Sequence, residues 1–138
     1  MVWKDEYRIG VEHIDGQHQN LFAKTGEFES IVNSGVAENK QAVIDIIVFL
    51  KGYALNHFAD EENYSKSIDY ADFNEHQSQH KAFIQTLLQQ EKALKNSDFS
   101  TETVEKLLQT LKVWLLFHVT NSDRRIVGKP PIIHDTVG

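Results

Sequence analysis

Cysteine is missing from the 138 residues. That excludes disulfides and thiolate metal sites, and it fits a reducing, cytoplasmic setting. Proline occurs only at Pro130 and Pro131, so nothing earlier in the chain forbids long helices. No basic cluster exceeds Arg124-Arg125 and the net charge is −6, which argues against nucleic acid as a partner. Long apolar runs are lacking too. VIDIIVFLKGYAL is interrupted by Asp45 and Lys51, and MVWKDEYRIG has no apolar signal core, so no membrane insertion is expected. A chain of this length fits one domain, a monomer that buries roughly 68% of its unfolded surface. What the chain has in excess is histidine, at seven positions.

The apolar period is helical along most of the sequence. Residues 1–16 carry no sustained period and read as an extended arm. Ile14, His18, Leu21, Thr25, Phe28 and Val32 then step by threes and fours, which predicts a helix from residue 17 to about Ser34. Val43, Ile47, Leu50, Ala54, His57 and Glu61 make a second stripe, from about Asn39 to Lys66. Asp72 with Glu75 reads as a capping box that starts a third helix at Phe73, with His76, His80, Phe83, Leu87 and Leu94 inward. Ser100 reads as the cap of a fourth, whose inner face is Val104, Leu107, Leu111, Trp114 and His118. Gly128 with Lys-Pro-Pro stops it. Four helices joined by short loops predict an all-α, up-down-up-down antiparallel four-helix bundle. It would form a single domain: arm 1–16, bundle 17–127, tail 128–138.

Five histidines fall on the inward stripes: His18, His57, His76, His80 and His118. Glu61 shares the second stripe four residues after His57, and Asp123 follows His118 by five. Any one of these alone reads as a hydrogen-bonded ring or a helix-end charge. Together they pose a cost, because buried imidazoles and carboxylates are unfavourable without partners. Metal satisfies all of them at once. Without thiolate, the imidazole set suits zinc, copper, iron or nickel, and seven donors are too many for one tetrahedral ion. Two ions bridged by carboxylates fit better. Five rings, two bridging carboxylates and a bridging oxide or hydroxide leave one position of a six-coordinate pair open, a place for a small diatomic ligand. His13 and His134 lie outside the stripes and read as surface residues.

IDGQH, HFADE, HQSQH and HVTNSD, taken as a set, resemble the hemerythrins, most closely the bacterial single-domain members. The likeness extends over about residues 3–127, and WKDEYRIGVEHID is similar to the usual start of those members. The resemblance implies an oxo- or hydroxo-bridged non-haem di-iron centre that binds O₂ reversibly for storage, transport or delivery, with no catalytic residue. It implies that His76, His80 and His118 hold a filled iron, that His18 and His57 hold the iron with the open position, and that Glu61 and Asp123 bridge them. It implies an O₂ pocket of Leu21, Phe58, Trp114, Leu115 and Val119. Two other readings stand beside this one: a module that reports O₂, redox state or iron through a partner, and a di-iron peroxidase or nitric oxide reductase. Two positions depart from the pattern. Tyr64 stands where methionine is frequent, and Ala71 replaces a proline in SIDYAD. The HxxxxD spacing is open in its own way: residues five apart in a regular helix differ by about 140° in direction. Either His118 and Asp123 straddle the ions, or a π-bulge brings them together.

Overall fold

The stripes of threes and fours fold into four long helices in the computed structural model, which describes residues 1–132. These are α1 (Glu12–Asn33), α2 (Lys40–Ser67), α3 (Phe73–Asn96) and α4 (Thr101–Phe117). A five-residue π-helical turn, His118–Ser122, follows α4 directly and leads into a last short helix, α5 (Asp123–Ile126). No strand occurs among the described residues. α1 packs on α2 and α4, and α3 packs on the same two helices from the other side. The result is a closed ring of neighbours, as a bundle with short connections requires. His134 and most of the expected tail lie outside the described residues.

Two local expectations differ from the structure. The first helix begins at Glu12, not residue 17, and Asp5–Tyr7 form a 3₁₀ turn within the arm. Asp15 is the reason. It sits in the first turns of α1, almost fully buried, and accepts from the backbone N–H groups of Ile9 (2.8 Å) and Gly10 (3.0 Å). Its carboxylate thus folds the arm back on the helix by satisfying two donors that have no helical partner. Nothing periodic in the sequence signals such a contact. The Asp72–Glu75 capping box is the second difference: Asp72 occupies the N-cap position, but its side chain caps nothing. Ser100, by contrast, accepts from the Thr103 N–H as expected.

The turns after α2, α3 and α5 close by one shared device. Asp69, Asp98 and Gly128 all adopt positive φ (53°, 52° and 72°). Each lets the next residue's N–H reach back five residues: Tyr70 to the Ser65 carbonyl, Phe99 to Leu94 and Lys129 to Arg124. This satisfies helix-end carbonyls in tight turns.

The interior divides into two ends. Phe28, Val32, Val43, Ile46, Leu94, Val104 and Leu107 fill one end with apolar side chains. At the other end the same four helices turn histidines and carboxylates inward. Among the described residues, α2 alone has the length and composition of a membrane span, with a mean hydropathy of 1.4 over its best window. This differs from the reading that Asp45 and Lys51 leave the segment too short and too charged. The surplus apolarity is on its outer face, where Val48, Phe49 and Leu55 are exposed. Its inner face carries His57 and Glu61.

Candidate metal centre

Each helix brings its donors to one level of the bundle by its own register. α1 contributes His18, α2 contributes His57 and Glu61 one turn apart, and α3 contributes His76 and His80 one turn apart. A four-residue step on a helix places both side chains on one face. The last two donors, His118 and Asp123, need more than a regular helix. They begin the π-turn and follow it, and the Asp123 N–H donates to the His118 carbonyl five residues back. That wider turn swings Asp123 round to the face of His118. It resolves the HxxxxD question in favour of the π conformation. The Thr120 carbonyl within the turn accepts from the Ile132 N–H at 2.9 Å, and the Thr120 hydroxyl donates to the Leu116 carbonyl at 2.7 Å. The irregular turn therefore keeps its backbone partners.

All seven donors are buried, none more than 5% exposed. Their polar atoms form two overlapping groups, each with its donor atoms within 4.8 Å of one another. One group is His76, His80, His118, Glu61 and Asp123; the other is His18, His57, Glu61 and Asp123. The carboxylates are common to both, and each is divided between them. Glu61 Oε1 lies 2.6 Å from His76 Nε2 and 3.0 Å from His80 Nε2, while Oε2 lies 3.3 Å from His18 Nε2 and 3.2 Å from His57 Nε2. Asp123 Oδ1 is 2.9 Å from His118 Nε2, and Oδ2 is 2.9 Å from His18 Nε2.

At Asp123 proximity is not pairing. Neither Asp123 oxygen has a partner of good hydrogen-bond geometry, in spite of those distances. His80 Nε2 and His118 Nε2 approach to 3.1 Å, although the Nδ1 atom of His80 faces the Glu62 carboxylate at 2.9 Å. A carboxylate only accepts, so His80 carries its proton on Nδ1 and turns a lone pair toward the cluster. Lone pairs and carboxylate oxygens converging in a dry interior are mutually repulsive unless a cation lies among them. The donor set therefore fits a pair of metal ions, one in each group.

Without metal, protons take over part of that role. Burial disfavours charge on His18, but the Asp123 and Glu61 carboxylates outweigh it and raise the ring to about 9. The same contest raises His76 to about 10 and also raises His118. Burial likewise opposes ionisation of Glu61 and Asp123, and the surrounding rings overcome it and hold both below the usual carboxylate range.

Aromatic plates wall the cluster. Phe58 stacks on His80 with ring centroids 4.2 Å apart, Trp114 stacks on His118 at 4.1 Å, and Phe83 stacks on Trp114 at 3.9 Å. Beside them is an apolar cavity of about 20 Å³ lined by Leu21, Phe58, Trp114 and Leu115, with Thr25, Leu50, Ala54, Phe83 and Leu111. Four of the five expected pocket residues are on its wall. The fifth, Val119, is fully buried in the adjoining core and is not on that wall. A second apolar cavity, of about 40 Å³, shares Leu50, Ala54 and Leu111 with the first. Tyr64 is only half-buried, unlike the seven donors. His13 is 73% exposed and pairs with Asp60 at 3.1 Å, as a surface residue should. The outer partners Gln17, Glu62 and Gln77 were not singled out as site residues from sequence, although all lie within or beside the quoted motifs.

Fold and donors together define a helical-bundle metal protein of the histidine–carboxylate class. The comparisons narrow this further. The family model described as hemerythrin HHE cation binding domain matches residues 9–129, and the chain belongs to that family. A bacteriohemerythrin of Clostridium acetobutylicum is 31% identical over 128 residues, covering 91% of this chain and 98% of that protein. A bacteriohemerythrin of Pseudomonas aeruginosa strain PAO1 is 24% identical, covering 89% of this chain and 76% of that protein. A myohemerythrin of Theromyzon tessulatum is 25% identical, covering 92% of this chain and 91% of that protein.

Proposed function

We propose that the chain binds O₂ reversibly at a pair of iron ions, to store, carry or deliver it without turnover. In this reading His76, His80 and His118 hold one iron, His18 and His57 hold the other, and Glu61 and Asp123 bridge them. The observation that carries it is the division of each carboxylate, one oxygen toward each histidine group. When bound, the irons supply the electrons that O₂ takes up and gives back.

The residues of the chain make that exchange reversible. Five neutral rings beside two carboxylates withhold the negative charge that would favour high-valent iron. Leu21, Phe58, Trp114 and Leu115, with Val119 behind them, keep water and protons from the ligand position. The small apolar cavity lined by the first four of these is of a size to suit a diatomic ligand. Tyr64, the one residue that kept an enzyme reading open, is half-buried, unlike the seven donors. The reading is of a cytoplasmic monomer that takes O₂ as its ligand; the lack of cysteine fits a reducing compartment, and the acidic charge disfavours nucleic acid as a partner.

Metal analysis joined to visible spectra with and without air tests the proposal. The expected result is two iron ions per chain and a charge-transfer band that appears with O₂ and disappears on its removal. Steady consumption of peroxide or nitric oxide, with no such reversible band, would replace it with the enzyme reading.

A further inference from the structure

We infer that Gln17 is a positioning residue for His57, and that Asp60 on the outside of the bundle sets the orientation of its amide. The inference rests on the metal reading above and adds a residue to it.

A chain of donors and acceptors runs inward from the surface. Asp60 Oδ2 lies 2.7 Å from Gln17 Nε2 and 3.1 Å from His13 Nε2. A carboxylate oxygen only accepts, so the amide NH₂ of Gln17 must be on the Asp60 side. Its carbonyl Oε1 then faces the other way, 2.7 Å from His57 Nδ1. An amide oxygen also only accepts, so His57 carries its proton on Nδ1. The lone pair is left on Nε2, which points at Glu61 Oε2 from 3.2 Å. A lone pair held against a carboxylate is repulsive, and an intervening cation reverses the sign. Asp60 and Gln17 thus fix the ring in its metal-binding tautomer.

The other rings show why this contact matters. His80 Nδ1 meets the Glu62 carboxylate directly, and Glu62 is steadied by Gln77 Nε2 at 2.8 Å. His18 Nδ1 is buried with no hydrogen-bond partner. Of the two rings in the His18–His57 group, His57 alone has its Nδ1 tied down, and the tie is a neutral amide backed by a surface carboxylate. Outer partners of this kind hold ring orientation and donor strength.

Zinc, which is diamagnetic and takes imidazole and carboxylate donors, is the probe. The parent chain and the variants Gln17→Leu, Asp60→Asn and Gln17→Glu/Asp60→Asn are loaded with zinc. Nitrogen-15 spectra of the histidines and the rate of zinc loss to a chelator are then recorded. The parent is expected to show a proton on His57 Nδ1. Gln17→Leu is expected to move that signal upfield, because a ring bound through Nε2 keeps its Nδ1 proton but loses the acceptor, and to release its faster zinc about ten- to a hundredfold sooner. Asp60→Asn, a surface change that leaves the core untouched, should move release the same way by less. The double variant reverses donor and acceptor across the contact and should restore the signal and slow release again. Unchanged release and an unchanged Nδ1–H shift in Gln17→Leu would overturn the inference while leaving the metal reading intact. Accelerated release that the double variant fails to reverse would also overturn it. A parent chain that takes up neither zinc nor iron would overturn the metal reading and this inference with it.

Discussion

The two ends of the bundle are built from the same four helices and obey opposite energetics. At the apolar end, Phe28, Val43 and Val104 are completely buried, and burial is itself the stabilising term. At the other end His18, Glu61, His80 and Asp123 are just as completely buried, and burial is the cost. One end therefore stabilises the fold whether or not a ligand is present. The other is complete only when positive charge arrives, as protons or as metal. The small cavity beside Trp114 lies on the boundary between them, with apolar walls drawn from both.

The contrast is tested most severely at Glu61, which belongs to both donor groups. Glu61→Ala should reduce bound metal from two ions toward none, read by metal analysis of the folded protein. Retention of both would show that the carboxylate does not bridge. Next in size is Phe28→Ala at the apolar end, which should lower unfolding stability by about 3–5 kcal/mol. Denaturant titration measures that loss, and the fraction still folded should keep its full metal content. If metal were lost before the fold, the two ends would not be independent.

A third test uses pH, which should move the two states of the protein in opposite directions. In the metal-free chain His18 and His76 are raised to about 9 and about 10. An unfolded histidine titrates near 6.5, so their contribution is fully present below about that pH and is lost as pH rises through 9 to 10. Glu61 and Asp123 are lowered, so their contribution is present above the ordinary carboxylate range and is lost in stronger acid. With metal bound the rings must be neutral, and metal binding strengthens as pH rises. Melting temperatures between pH 6 and 10 should therefore fall without metal and hold or rise with it. Parallel curves would mean that the cluster is not the group being titrated. The smallest effect is expected at Ser100→Ala, remote from the donors, which removes a helix cap worth about 1 kcal/mol. Metal release should not change.

How much of this could be read in the sequence depended on whether the signal was periodic. The stripe from Ile14 to Val32 is buried in full, α3 begins at Phe73 as expected, and the six donors from His18 to His118 lie on the inward faces their period gave them. Contacts with no period were missed. Asp15 looked like part of an arm because its partners are the backbone N–H groups of Ile9 and Gly10. Asp72 and Glu75 had the right spacing for a capping box, yet the Asp72 side chain does not cap the helix. Gln17 and Asp60 stood in quoted motifs, but their pairing across two helices has no mark in either helix.

The order of residues alone determined the helices, the faces they bury and the kinds of donor those faces carry. Side-chain direction along a helix follows from a fixed number of residues per turn. Only the packed bundle decided which oxygen of Glu61 faces which histidines, that α4 widens into a π-turn to bring Asp123 alongside His118, and which tautomer His57 holds. The carboxylate division and the tautomer depend on distances between different helices, which no single stretch of chain contains; the π-turn lies within one stretch, but its spacing alone left two outcomes open.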